Sequence, residues 1–389
     1  MGSLKPSNDP ITIGQVELLA RQKLPSQVYD YYASGADDQR VKDSNTADFD
    51  EVLRDVSCVD TSVNILGHRY SLPIGIAPSA MQRLASPGGE KDVAKAASSM
   101  GLNLTLSSNS TTSLEDVIKT LHESNGLKSG PRFWFQIYLP SNLKLSIPLI
   151  RRAEAAGYQA LVLTVDSPVL GSRINERQTP LVLPKGIELV NIAKSHGPSP
   201  GKPSFNRILA DARTKQQYDE GLREAEGKAN NASLTWDSTI KFLRQTTNMK
   251  IILKGIMAPE DAELAIKHGV DAIIVSNHGG RQLDCVPSTI KALPEIAAAV
   301  KGKVPIIFDG GIRHGSDILK ALALGADFVL VGRPILWGLA FKGTEGVQTV
   351  MNILERELSR TMALAGTAKI QDIDASFLRR SVEGRLSKI

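Results

Sequence analysis

From residue 72 onward, short apolar runs alternate with segments of helical spacing. The runs cover residues 72–77, 102–106, 133–137, 160–165, 250–253, 272–275, 304–308 and 328–331. Each is predominantly apolar and strand-length, the profile of a strand buried on both faces. Between them, residues 88–100, 113–122, 147–156, 236–245, 259–268, 288–300 and 316–324 place apolar side chains at helical intervals. Gly101, Gly157, Gly269 and Gly325 close four of these segments just before the next run, a repeated helix-end signal. Eight strands alternating with helices predict a parallel α/β architecture, and eight is the number that closes a TIM (β/α)8 barrel. A doubly wound open sheet is the alternative.

The flanks read differently. Residues 11–40 pattern as two short helices around Pro25, the first with Val16, Leu18, Leu19 and Ala20 as its apolar stripe. The second carries Tyr29, Tyr31 and Tyr32, ending at Ser34-Gly35; such tyrosines mostly pack, with one hydroxyl available to a pocket. Residues 41–71 form a polar connection with short strands and a turn at Gly67-His68. After the fourth run, residues 166–249 are rich in Pro, Gly, Ser, Asn and charge. A connection of that length predicts a loop, mobile near 190–230 and covering the barrel mouth. The expected organisation is a single domain over 1–389: an N-terminal helical and β extension (1–71), the barrel (72–370) and a C-terminal tail (371–389).

Barrel chemistry sits at the C-terminal ends of the strands. The eight predicted ends carry Pro78, Ser79 and Ala80; Ser107 and Asn109; Gln136 and Tyr138; Thr164, Asp166 and then Arg173; Lys254; Ser276, His278 and Arg281; Asp309, Gly310, Gly311 and Arg313; and Gly332 and Arg333. Jointly they predict a polar ring around a large ligand. Glycines and helix starts after the last two strands suit a phosphate, with Arg313 and Arg333 as clamps. His278 and Arg281 pair a titratable base with a fixed cation, suited to an anionic substrate. Lys254 fits either a Schiff-base lysine or a charge beside an electron-rich cofactor ring.

Composition narrows the class. Hydrophobic residues make up 42% and charged residues 22%, with a net charge of +5. The basic residues are scattered, which argues against nucleic acid. No apolar run approaches the ~18 residues of a membrane span, and the N-terminus lacks a signal-type apolar segment. Cys58 and Cys285 stand in no metal-ligand spacing, so no metal site is expected. The C-terminal Ser387-Lys388-Ile389 nearly matches a peroxisomal address; the cytoplasm is the alternative.

The segment Ser276-Asn-His278-Gly-Gly-Arg281-Gln-Leu-Asp284 resembles the active-site signature of the FMN-dependent α-hydroxy acid dehydrogenase/oxidase family. So do LPSQVYDYYASGADDQ, IAPSAMQRLASPGGE, FQIY, LTVDSP, ILKGI, FDGGIRHGSDILKALALGA and VGRP, in that order, spanning about residues 11–370. The pattern is most like the glycolate-oxidase-type (S)-2-hydroxy-acid oxidases. The resemblance implies FMN as cofactor, a small carboxylate substrate, O2 as acceptor and a homotetramer. It implies His278 as base, Asp166 as its partner, and Arg173, Arg281 and Tyr31 on the substrate carboxylate. Tyr138 would meet the substrate hydroxyl, and Lys254 the flavin N1 and O2. Ser79, Ala80, Ser107, Gln136, Thr164 and Ser276 would line the isoalloxazine and ribityl chain; Asp309, Gly311, Arg313, Gly332 and Arg333 would take the ribityl and phosphate end. One position departs: where the glycolate oxidases carry a tryptophan beside the substrate, this chain has Asn109. That implies a wider, more polar pocket, for a bulkier 2-hydroxy acid or, in a biosynthetic setting, a cyclic amino acid. A dehydrogenase with another acceptor and a Lys254 aldolase are the competing classes.

Overall fold

The computed structural model describes residues 10–34, 57–125, 132–179, 181–192 and 204–378. A small antiparallel pair, β1 (Val63–Ile65) and β2 (His68–Tyr70), precedes the barrel. Then come β3 (Ile74–Ile76), β4 (Asn103–Ser107), β5 (Trp134–Ile137), β6 (Ala160–Thr164), β7 (Lys250–Ile256), β8 (Ala272–Val275), β9 (Ile306–Asp309) and β10 (Phe328–Val331). These eight close into a parallel barrel in the order β10-β3-β4-β5-β6-β7-β8-β9, so the open-sheet alternative is excluded.

The helices are α1 (Ile13–Lys23), α2 (Ser26–Ala33), α3 (Glu90–Ser99), α4 (Leu114–Asn125), α5 (Ile147–Ala156), α6 (Ile174–Gln178), α7 (Phe205–Asp211), α8 (Lys215–Ala225), α9 (Trp236–Thr246), α10 (Pro259–Lys267), α11 (Thr289–Val300), α12 (Gly315–Ala323) and α13 (Arg333–Ala365). The glycines expected to end helices, Gly101, Gly157, Gly269 and Gly325, all take positive φ.

The reason for closure is visible in the strands. Apart from exposed Lys250 and half-buried Gly255, each barrel strand is buried along its whole length, so each needs cover on both faces. At the N-terminal end, Trp134, Phe328 and Tyr70 form an aromatic plug, with centroids 6.0 Å (Trp134–Phe328) and 5.5 Å (Tyr70–Phe328) apart. Burying each such side chain contributes roughly 1.5–3 kcal/mol. Gly75 leaves room for it: a Cβ there would lie 2.7 Å from the Phe328 ring.

The N-terminal extension is anchored rather than loose. Thr12 and Gln15 form a reciprocal capping box at the start of α1. Tyr29 stacks on Trp337 of α13 at 5.1 Å, and Tyr32 meets the same indole edge-on at 6.1 Å. The Tyr32 hydroxyl donates to the Met81 carbonyl at 3.1 Å. With Tyr32 buried and Tyr29 stacked half-buried on the indole, α2 carries Tyr31 to the mouth of the barrel. Helix α13 breaks at Lys342 and Gly343, and its two halves approach closely at Gly338 and Gly346.

The connection after β6 differs from expectation. Its described residues hold α6, α7 and α8 ahead of α9, the helix expected at 236–245, so they are not structureless. Part of the expected mobile stretch, residues 193–203, lies outside the described residues, as do 35–56 of the N-terminal connection and the tail from 379 onward, which includes Ser387-Lys388-Ile389. No helix among the described residues is long and apolar enough to cross a membrane.

Candidate active site

Strand β8 delivers the centre of the site. Past Val275 the chain turns through three consecutive left-handed residues, His278 (φ 60°), Gly279 (67°) and Gly280 (74°). Two glycines allow this at little cost, whereas His278 stores strain of about 1 kcal/mol. Local hydrogen bonds hold the turn: the His278 N–H donates to Ser276 Oγ (3.1 Å), and the Gly280 N–H to the Asn277 carbonyl (3.0 Å) and side chain (3.2 Å).

The imidazole is gripped at both nitrogens. Its Nδ1 lies 2.8 Å from Asp166 Oδ1, and its Nε2 lies 3.4 Å from the Tyr138 hydroxyl. Asp166 reaches it because Gly255 in β7 has no side chain; a Cβ there would sit 2.6 Å from the Asp166 Cβ. Burial opposes ionisation of Asp166, but His278 and Lys254 outweigh it and bring the carboxyl down to about 2. Burial pushes His278 the other way, below the usual histidine value; Asp166 opposes that, while Lys254 and Arg173 reinforce it. The pair therefore favours an ionised carboxylate beside a neutral imidazole. Burial also raises the hydroxyls of Tyr138 and Tyr31, keeping both protonated as donors.

Two guanidiniums stand beside this unit. Arg173, between β6 and α6, donates to the Arg281 carbonyl at 3.2 Å. Arg281 lies 5.0 Å over the Tyr31 ring and donates to the Tyr31 carbonyl. Glu176 bridges them, 2.8 Å from Arg281 and 3.4 Å from Arg173. The sequence reading missed Glu176, although its spacing from Arg173 on one helical turn was a usable signal. It also missed Gln282. That amide donates to the carbonyls of Asp166 (3.0 Å) and Val169 (2.9 Å) and accepts from the Gly171 N–H (3.1 Å), fastening the β6 and β8 loops together.

A third group follows round the ring. Lys254, at the end of β7, is buried; it donates to Ser276 Oγ at 2.8 Å and pairs with Asp309 Oδ2 at 3.4 Å. Asp309 Oδ1 is buried without a hydrogen-bond partner. Gln136 donates to Thr164 Oγ1 (2.9 Å), and Ser107 donates to Gln136 Oε1 (3.2 Å), ordering the polar ends of three neighbouring strands. At the far end, Arg333 donates to the carbonyls of Tyr32, Ser34 and Gly279, each at 2.9 Å. Burial, Arg281 and Arg313 together push its guanidinium down to about 9, so the pocket calls for a negative charge. Arg313 is likewise lowered by burial.

One cavity of about 1200 Å³ connects these groups. Single ligand pockets usually measure about 300–1,000 Å³, so this one suits a large ligand with a second, smaller one. Its walls include Tyr31, Pro78, Ser79, Ala80, Ser107, Asn109, Gln136, Tyr138, Thr164, Arg173, Lys254, His278, Arg281, Asp309, Gly310, Gly311, Arg313, Gly332 and Arg333. Asp166 and Ser276 stand behind the wall, supporting His278 and Lys254. Parts of the long connection, between Leu181 and Ile192 and between Ser204 and Asp211, close the outer rim.

Known proteins are similar to this chain in sequence and fold. A 2-hydroxyacid oxidase of Dictyostelium discoideum is 43% identical over 95% of this chain and 90% of its own length. An L-lactate oxidase of Nostoc sp. is also 43% identical, over 95% of this chain and 98% of its own. The crystal structure of mandelate oxidase with (S)-4-hydroxymandelic acid superposes with a TM-score of 0.79 at 36% identity, covering 93% of this chain and 97% of that one. The family model described as FMN-dependent dehydrogenase matches residues 20–380, and the chain belongs to that family.

Proposed function

We propose that this protein oxidises an (S)-2-hydroxy acid to the 2-oxo acid with bound FMN and passes the electrons to O2, forming H2O2. The observation that carries the reading is the line Asp166–His278–Tyr138 beside two carboxylate-seeking arginines, in the same cavity as a buried cationic end. The cavity suits FMN. Arg313, Arg333 and the backbone at Gly310, Gly311 and Gly332 would hold the phosphate, and the unpartnered Asp309 Oδ1 would accept from the ribityl chain. Ser79, Ala80, Ser107, Gln136, Thr164 and Pro78 would border the ring. Lys254, with Ser276 behind it, would supply positive charge to it. When bound, FMN would supply the two-electron acceptor for substrate C2 and the site at which O2 is reduced to H2O2.

The protein's own groups do the rest. Arg173 and Arg281 hold the substrate carboxylate, with the Tyr31 hydroxyl as a further donor. Tyr138 and His278 Nε2 receive the C2 hydroxyl between them. His278 takes a proton at Nε2, which its neutral form allows, and Asp166 stabilises the imidazolium through Nδ1–H. Asn109 borders the substrate's side chain. The Schiff-base alternative is weakened because the Lys254 side chain is already engaged by Asp309 and Ser276. We further propose a homotetramer, and delivery to peroxisomes through Ser387-Lys388-Ile389.

The test is anaerobic bleaching of the purified, yellow protein by (S)-2-hydroxy acids, followed by peroxide measurement in air. A colourless protein, or a flavin that no hydroxy acid bleaches, would remove the reading. Bleaching with rapid dye reduction but negligible peroxide would replace the oxidase with a dehydrogenase.

A further inference from the structure

The substrate end of the cavity holds more positive charge than one carboxylate needs. Arg207 of α7 also lines it. Its side chain is only 12% exposed, and its Nη1 lies 3.8 Å from Glu176, the residue that bridges Arg173 and Arg281. Its Nε donates to Asp211 at 2.7 Å, and Asp211 is shared with Arg177 at 3.1 Å. Its Nη2 is buried and has no hydrogen-bond partner among the described residues.

This is one connected network of ion pairs. It contains the guanidiniums of Arg173, Arg177, Arg207 and Arg281 against the carboxylates of Glu176 and Asp211. On the same wall Lys185 and Glu188 are both exposed and opposite in charge, and Lys228 pairs with Glu226 at 3.0 Å, so these four add no net charge. A buried guanidinium with an unused donor is costly unless an acceptor arrives. The substrate's C1 carboxylate cancels part of the excess and belongs with Arg173 and Arg281. A second monoanion would complete the neutralisation, whereas a phosphate dianion would overshoot it. The planar fork of arginine also matches a carboxylate.

We propose that the substrate is a 2-hydroxy dicarboxylate, and that Arg207 recognises its distal carboxylate. The inference rests on the hydroxy-acid oxidase reading and narrows its substrate class. Residue 109 fits it, since Asn109 borders the path with an amide in place of an apolar wall.

The test uses the FMN-loaded full-length enzyme and substrates matched in carbon skeleton: (S)-malate against (S)-2-hydroxybutanoate, and (S)-2-hydroxyglutarate against (S)-2-hydroxypentanoate. The dicarboxylate of each pair is expected to show the higher kcat/KM, by about tenfold to a hundredfold, the worth of one charge-assisted hydrogen-bonded contact. In Arg207→Gln the ratio within each pair should collapse toward one, through KM rather than kcat, and Arg207→Lys should restore part of it. Visible-spectrum titrations with succinate against butanoate read binding without turnover and should show the same preference and its loss. Bleaching by all these acids with no preference for the dicarboxylates would overturn the inference and leave the oxidase reading intact. So would a preference that Arg207→Gln, with normal flavin content, does not reduce. Failure of any hydroxy acid to bleach the flavin would overturn both.

Discussion

Replacing Asp166 with Asn removes one buried negative charge and leaves the side chain's shape unchanged. The carboxylate lies 2.8 Å from His278 Nδ1 and is itself buried. At an effective dielectric near 20, unit charges about 4 Å apart interact by about 4 kcal/mol, roughly three pKa units. The transition state for proton transfer carries between a partial and a full charge on the imidazole. The substitution should therefore cost about 2–4 kcal/mol of activation free energy, or roughly 30- to 1000-fold in the rate of flavin reduction.

The pH profile gives a second, independent reading of the same substitution. His278 must be neutral to accept a proton, so activity falls on the acid side as it protonates. Burial, Lys254 and Arg173 lower its pKa, and Asp166 is the group that raises it. In Asp166→Asn the acid limb of kcat/KM should thus move to still lower pH while the plateau drops. Stopped-flow bleaching under anaerobic conditions across pH measures both effects. A rate within about threefold of the parent, or an acid limb that moves upward, would refute the assignment of Asp166 as the charge partner of the base.

His278→Ala should retain the flavin spectrum while turnover falls by about 10²- to 10⁴-fold, the usual worth of a general base; near-normal activity would exclude His278 from that role. Asn109→Trp should shift kcat/KM toward the smallest 2-hydroxy acids, and an unchanged substrate profile would mean that residue 109 does not border the substrate. Arg333→Met should weaken FMN retention, read as loss of visible absorbance on gel filtration, and full retention would remove Arg333 from the phosphate end. Gly346→Ala would place a Cβ 1.9 Å from the Gly338 carbonyl oxygen, where the two halves of α13 cross, and should lower stability by about 1–3 kcal/mol in denaturant melts.

The barrel was legible because its strands are buried on both faces, which leaves predominantly apolar runs. Residues 272–275 and 328–331 coincide with β8 and β10 as read from sequence. The ring of site residues was legible for a topological reason: once eight parallel strands close, their C-terminal ends must share one face. Sequence could not reveal which neighbours those residues choose. Ser276 stands next to His278 in the chain, yet its oxygen serves both the His278 backbone and the Lys254 ammonium from outside the cavity wall. Glu90 shows the same limit. It lies in the helical segment 88–100, where its buried carboxylate accepts from the Gln82 and Thr111 backbones and from both threonine hydroxyls at 111 and 112. It thereby ties together the loops that carry Ala80 and Asn109. In the connection after β6 the helix at 236–245 was legible, whereas α6, α7 and α8 were not, because α6 and α7 are short and the three bury almost no side chains.

That misreading bears on where specificity resides. On the proposed reading the barrel supplies the groups any 2-hydroxy acid would need: a base, its carboxylate partner, and two arginines. These lie at the ends of β6 and β8 or in the loops that directly follow, and they are fastened to one another through Gln282. Arg207 instead sits on α7, in the long insertion, and reaches the same arginines only through Glu176. A charge on an insertion can be added, moved or removed without disturbing the strand ends, because the barrel closes without it. On the proposed reading, then, the distal-charge preference is carried by the insertion, while the base, its partner and the C1 carboxylate clamp stay with the barrel and Asn109 borders the pocket from the end of β4. Substitutions in α7 should accordingly change which acid is oxidised, whereas substitutions at the ends of β6 and β8 should change whether any acid is oxidised.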